Sequence, residues 1–268
     1  MERPAWAGPD IDVDKPSPAR VYDVHLGGFH NFQVDRDVAR KITEVMPELP
    51  LILQANRSFL RRAVRHLVEQ GITQFLDLGA GIPTVGTVHE IAWRLNPDCR
   101  IVYVDVDPVA VAHGRAILQG VDRATAVRGD LRSPEKILDD PQVRELLDFS
   151  QPIAILMVAV LHFVPDEDDP AAAIRRYLDA VVPGSYLVIS HASLEGKTPQ
   201  RTEDATEQYR SRVTDFSMRT RAEITDLFTG LELIEPGVVY LTEWHPDPGD
   251  ETGDPAWTST FAGVGRKV

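Results

Sequence analysis

The chain has 268 residues and a net charge of −13, from 28 basic and 41 acidic side chains. Its 43% apolar content supplies a packed core without staples, and a single cysteine excludes a disulfide framework or a thiolate metal cluster. The longest apolar run, Ile153 to Leu161, is far short of the roughly 18 residues of a membrane span, and the acidic balance disfavours nucleic acid.

Residues 1–16 are irregular and rich in Pro, Gly and Asp, with no apolar signal core, so a cytoplasmic location is expected. Ser17-Pro18 marks a helix start and Gly27-Gly28 a stop, which predicts about ten residues of helix followed by a joint. The stretch carries Tyr22, His25, His30, Asn31 and Phe32, which form either a cover over a site or simple packing. As a cover, it would bring Tyr22 against a bound cofactor and Asn31 to its polar end. Arg57, Arg61, Arg62 and Arg65 follow at helical spacing and read as a solvated face.

From residue 74 onward short apolar strands alternate with amphipathic helices. The strand candidates are 74–79, 100–105, 125–130, 153–158, 185–191, 231–236 and 260–267, rich in Val, Ile and Leu as buried strands are. Capping side chains precede Pro at Asp107-Pro108, Ser133-Pro134, Asp140-Pro141, Asp169-Pro170 and Thr198-Pro199, and Thr220-x-x-Glu223 reads as a capping box. Such alternation implies right-handed crossovers and an α/β, doubly wound, mostly parallel sheet with helices on both faces. No composition shift marks a boundary. The expectation is one domain over 1–268, with residues 1–70 as a helical extension and 71–268 as the core.

In such a sheet a ligand sits beyond the carboxyl ends of the strands, where strand order reverses. The first strand ends Asp77-Leu78-Gly79-Ala80-Gly81-Ile82-Pro83-Thr84, and its glycines allow a sharp turn and a close backbone approach. Asp105 closes the second strand, where a carboxylate can accept both hydroxyls of a ribose. Asp130 closes the third, where one can accept from an adenine amino group. A nicotinamide dinucleotide is the rival ligand, but its fingerprint wants a third small residue where Thr84 stands.

The stretches DLGAGIPT, VYVDVDP, RGD and LMVAVLHFVPDEDDP together resemble a class I S-adenosylmethionine-dependent methyltransferase. ARVYDVHLGGFHNF, ANRSFLRRAVRHL, PGSYLVISH and LELIEPGVV narrow the resemblance to a bacterial methyltransferase family catalogued as a domain of unknown function. The resemblance implies a Rossmann-like seven-stranded sheet, six strands parallel and the last antiparallel, and S-adenosylmethionine as cofactor. It places Asp77, Gly79 and Gly81 at the methionine part, Asp105 at the ribose and Asp130 with Leu131 at the adenine, and counts Val106 among the cofactor-binding residues.

Methyl transfer is an in-line displacement, for which alignment supplies most of the catalysis and a base helps when the acceptor carries a proton. His162 and His191, each just beyond a strand end, are the candidate bases, against a purely architectural reading of both. The fourth strand lacks the Asn/Asp-Pro-Pro-aromatic stretch of amide and base N-methylation, and no carboxylate there begins a magnesium site. Asp166 to Asp169 read as a loop and helix cap rather than a metal site. Trp244, His245 and Trp257 flank an irregular segment, 244–258, as either a substrate wall or a loop anchor. The expected activity is methyl transfer to a small organic acceptor. A non-enzymatic cofactor-binding protein and a nicotinamide-dependent oxidoreductase are the alternatives.

Overall fold

The computed structural model describes residues 12–83, 86–193, 195, 207, 211, 213–249 and 253–268. Thr84 and the Thr198-Pro199 helix start lie outside the described residues. Three helices come first: α1 (Pro18–His25), α2 (Gln33–Val45) and α3 (Leu49–Glu69). The alternation then runs β1 (Gln74–Leu78), α4 (Val88–Leu95), β2 (Arg100–Asp105), α5 (Pro108–Ile117) and β3 (Ala124–Arg128). Two short helices, α6 (Pro134–Leu138) and α7 (Pro141–Leu146), lead to β4 (Ala154–Val158), α8 (Pro170–Asp179) and β5 (Tyr186–Ala192). The chain closes with α9 (Arg221–Asp226), β6 (Glu232–Leu233), β7 (Val239–Tyr240) and β8 (Thr260–Arg266).

Most of the expected caps are made. Ser17 accepts from the Arg20 amide, Asp107 from Val109 at 2.7 Å, Asp140 from Gln142 at 2.8 Å and Asp169 from Ala172 at 2.9 Å. Thr220 and Glu223 close their capping box. Ser133 is the exception and makes no side-chain cap bond.

The strands order as β3-β2-β1-β4-β5-β8-β6. β1 to β5 are parallel, and β8 runs antiparallel to both β5 and β6, which turns β6 back along the parallel set. That is the seven-stranded mostly parallel arrangement expected. The eighth strand is β7, two residues antiparallel on β8. The strand expected over 231–236 shrinks to β6, because Ile234 accepts a turn bond from Gly237 and Pro236 has no N–H for a ladder.

Successive strand residues feed opposite layers. Leu76, Leu78, Val102 and Val104 join one apolar cluster, while Phe75, Ile101 and Tyr103 join the other. The second layer also takes Trp244, fully buried and edge-on to Phe59 at 5.5 Å, so Trp244 anchors its loop and is no substrate wall. The arginine run is a solvated face only in part. Arg62 is buried and donates to the carbonyls of Trp244 and Leu241, and Arg61 and Arg65 both pair with Asp247.

An ion pair closes the N-terminal layer onto itself. Asp35 is fully buried and accepts from Arg20 Nε at 3.0 Å and from the amides of Phe32 and Ser17 at 2.8 and 3.1 Å. Arg20 also stands 3.7 Å from Asp107, and Ser17 donates to the same carboxylate, which ties α1 to the start of α5. Removing one partner of such a pair leaves a buried charge uncompensated. Asp35→Ala should therefore cost about 3 kcal/mol in chemical denaturation, at the low end for buried pairs because Asp107 remains near Arg20. An unchanged midpoint would show that α1 and α2 hold together without it.

Candidate functional site

Strand order reverses between β1 and β4, and a cleft of about 720 Å³ opens there beyond the strand ends. That volume lies within the roughly 300–1,000 Å³ of small-molecule sites. The turn after β1 forms its floor. Gly79 has φ +75° and donates to the Val104 carbonyl at 2.8 Å. A Cβ there would lie 2.2 Å from Val160 on the segment leaving β4, so no other residue fits. Gly81, at φ +66°, would point a Cβ into open space, so its bare backbone faces the cleft.

Two buried carboxyls stand at this floor. Asp105 accepts from the amides of Gly81 at 2.7 Å and Asp107 at 2.8 Å, so it shapes the turn as well as lining the cleft. Burial pushes its carboxyl up to about 6, against the pull of those amides. Asp77 is pushed up to about 7, chiefly by burial, with Arg57 pulling it back and Asp105 adding to the rise. Arg57 was part of the run read as solvated. Its guanidinium instead lines the cleft, 5.3 Å from the centre of the Tyr22 ring, with Nε buried and without a hydrogen-bond partner.

The far end is formed by Val106, Asp130 and Leu131. Val106 is 61% exposed into the cleft, an apolar side chain with nothing packed over it. Asp130 is engaged by Arg132 at 2.6 Å, which holds the carboxyl below its ordinary range, and Arg132 reaches on to Asp168 at 2.8 Å. Asp166 pairs with Arg219 and Asp169 caps α8, so the acidic stretch is spent on loop and cap.

A family model for S-adenosyl methyltransferases matches residues 4–268. The chain belongs to this family. It is 41% identical to a candidate methyltransferase of Thermobifida fusca, covering 98% of this chain and 99% of that one with a TM-score of 0.92. A DUF574-family protein of Streptomyces avermitilis is 38% identical over 96% of this chain and 99% of its own, also at 0.92. Human N-acetylserotonin methyltransferase, solved with S-adenosylmethionine, shares the fold at 16% identity and a TM-score of 0.50, over 92% of this chain and 62% of that one. No curated protein matches the chain. The dinucleotide oxidoreductase and the non-enzymatic binder therefore fall away as readings.

The methyltransferase uses S-adenosylmethionine, and the donor set suits it. Arg57 has an orphan N–H for a carboxylate, Asp77 an acid for an ammonium, and Asp105 a carboxylate for a ribose diol. Val106 and Leu131 supply apolar surface for a purine. Of the expected cover, Tyr22 reaches the cleft, its hydroxyl donating to the Leu53 carbonyl and accepting from Asn56. Asn31 does not. Its amide is spent on Asp23 at 2.8 Å and Gly28 at 3.0 Å, and its oxygen on Arg36 at 2.9 Å, bracing the joint after α1.

The two histidines separate. An arginine can only donate, so Arg219 fixes His191 Nε2 as an acceptor at 2.7 Å, and Nδ1–H then donates to the Ala192 carbonyl at 2.7 Å. With both ring nitrogens engaged and no exposed surface, His191 is architectural. His162 is 8% exposed, has Nδ1 buried without a partner, and lines a second cavity beside the cleft. The sequence reading missed Arg57, Asn56 and Arg219. For Arg57 a signal existed: it falls three residues before Leu60 and seven before Val64, both on the buried face of α3.

If Asp105 accepts the ribose hydroxyls, Asp105→Ala should weaken S-adenosylhomocysteine binding by about 1–3 kcal/mol in calorimetry. Asp77 carries its own pH signature. Its folded carboxyl, near 7, holds a proton that the unfolded chain releases at about 4, so its contribution to stability falls as pH rises through that window. Urea denaturation should thus show Asp77→Asn gaining on the wild type between about pH 4 and pH 7. A gap independent of pH would place the Asp77 carboxyl in water.

Proposed function

We propose that this methyltransferase modifies a small organic acceptor in the cytoplasm, with His162 receiving the acceptor's proton. The observation that carries the reading is a buried cavity of about 100 Å³ that shares Tyr22, Asn56, Ala159 and Phe163 with the cofactor cleft. An acceptor group in that cavity would stand next to the donor, and its volume suits a small molecule. The net charge of −13 adds an electrostatic argument against a nucleic-acid acceptor.

When bound, the cofactor supplies a methyl group on a sulfonium, so that transfer breaks one S–C bond, forms one bond from an acceptor lone pair to carbon, leaves a neutral thioether and frees one proton. The protein's part is to align the acceptor, exclude water and take that proton. Tyr22, fixed by Leu53 and Asn56, and Asn56, fixed in turn by Ser190 at 2.6 Å, hold the wall between cleft and cavity. Burial and the neighbouring His191 and Arg219 hold the His162 imidazole well below its ordinary value, so it is neutral at pH 7 and presents a lone pair. A base this weak does not ionise the acceptor beforehand. It takes the proton as the new bond forms and the acceptor atom becomes acidic.

His162→Ala should lower turnover of any acceptor used by the wild type by roughly 10²–10⁴-fold with S-adenosylhomocysteine affinity nearly intact. His191→Ala should instead lower the melting temperature, because it leaves the buried Arg219 and the Ala192 carbonyl short of a partner. Equal rate losses without a stability difference would remove the distinction between the two residues.

A further inference from the structure

The second cavity specifies more than size. It lies between α1–α3 and the ends of β4 and β5, walled by apolar groups such as Val21, Ile52, Leu53 and Met218. Its inner side is aromatic: the His162 ring lies 4.3 Å from Phe163 and 4.8 Å from Phe216, centroid to centroid. Among the described residues, no Asp, Glu, Lys or Arg lines it. Its hydroxyls and amide are mostly committed internally, Asn56 to Ser190 and Tyr22, Thr258 to Pro255, and Thr260 to Thr258.

Two polar atoms are left over. His25 Nε2 and His162 Nδ1 are both buried without a hydrogen-bond partner, and both residues line the cavity. Burial lowers His25 to about 4, so like His162 it is neutral near pH 7. A neutral imidazole offers one N–H and one lone pair, which suits a hydroxyl, and it carries no charge to neutralise an anion or a cation. A charged guest would lose its hydration here with nothing to replace it. The volume, about 100 Å³, is two thirds that of an apolar cavity of roughly 150 Å³ that accommodates benzene, so it holds no more than a single ring.

We propose that the acceptor is an uncharged single-ring aromatic hydroxyl compound, its ring in this cavity and its hydroxyl at His162. This rests on the small-molecule reading above. A phenol hydroxyl, with a pKa of about 10 as in tyrosine, gives up its proton more readily than an aliphatic alcohol, which a weak base requires. The hydroxyl oxygen gains the methyl carbon and its proton passes to His162, giving an aryl methyl ether.

Calorimetry on the full chain saturated with S-adenosylhomocysteine tests this with three probes: p-cresol, toluene and 4-methylbenzoate. We expect p-cresol to bind one per chain and 4-methylbenzoate at least about tenfold more weakly, with toluene between them. Met218→Trp, which fills the cavity from a residue outside the cofactor cleft, should abolish p-cresol binding and leave S-adenosylhomocysteine affinity unchanged. Met218→Phe is the milder variant should the tryptophan impair folding. The proposal is overturned if 4-methylbenzoate binds as well as p-cresol, if p-cresol does not bind, or if filling the cavity leaves its binding intact. A separate arm supplies methyl-labelled cofactor with a cell extract. Label in the small-molecule fraction upholds the parent reading whatever the probes do, and label confined to macromolecules overturns it.

Discussion

The contact between Gly79 and Val160 sets the geometry on which the functional half of the molecule depends. The segments leaving β1 and β4 separate at the reversal of strand order, yet touch so closely that a single Cβ at position 79 would lie 2.2 Å from a valine methyl. Gly79 also holds a left-handed conformation that a side chain would strain. With that contact made, the β1 turn leans toward β2, where Gly81 donates to Asp105. The β4 exit goes the other way, through Ala159 at φ 56° into the short turn that carries His162. One contact thus divides a charged cleft from an apolar cavity.

The two spaces differ in how they treat charge. The cleft gathers Arg57, Asp77, Asp105, Asp130 and Arg132, suited to a zwitterionic nucleoside ligand. Among the described residues, the cavity's polar side chains are imidazoles, hydroxyls and an amide. Such segregation serves a displacement at a sulfonium carbon. In the proposed reaction the charged groups would hold the far ends of the donor while its reacting centre meets the apolar wall.

The N-terminal helices complete both spaces and cannot be treated as an appendage. Arg20, Asp35 and Asp107 tie α1 and α2 to the start of α5, and Asn56 on α3 links Tyr22 on α1 to Ser190 on β5. Arg219 does similar work from the far side. It donates to the carbonyls of Leu161 and Val164, to Asp166 and to His191, so one buried guanidinium fixes the turn on which His162 stands. No helix among the described residues is long and apolar enough to cross a membrane.

The sequence by itself determined the alternation of strands and helices, most of the capped helix starts and the turn at Gly79 and Gly81, because these rest on local rules of periodicity, proline placement and glycine dihedrals. It also located Asp77 and Asp105, since a strand end is a sequence feature. Tertiary structure decided the fate of every polar side chain whose partner lies far along the chain. Arg57 and Arg62 look alike on a helical wheel, yet one faces the cleft and the other is bound to carbonyls of Leu241 and Trp244. His162 and His191 both follow strands, and only the position of Arg219 separates a free imidazole from a committed one. Asn31 looked available for a ligand until Asp23, Gly28 and Arg36 surrounded it. Hydrogen-bond commitment depends on distances across the fold, and local sequence carries no record of them.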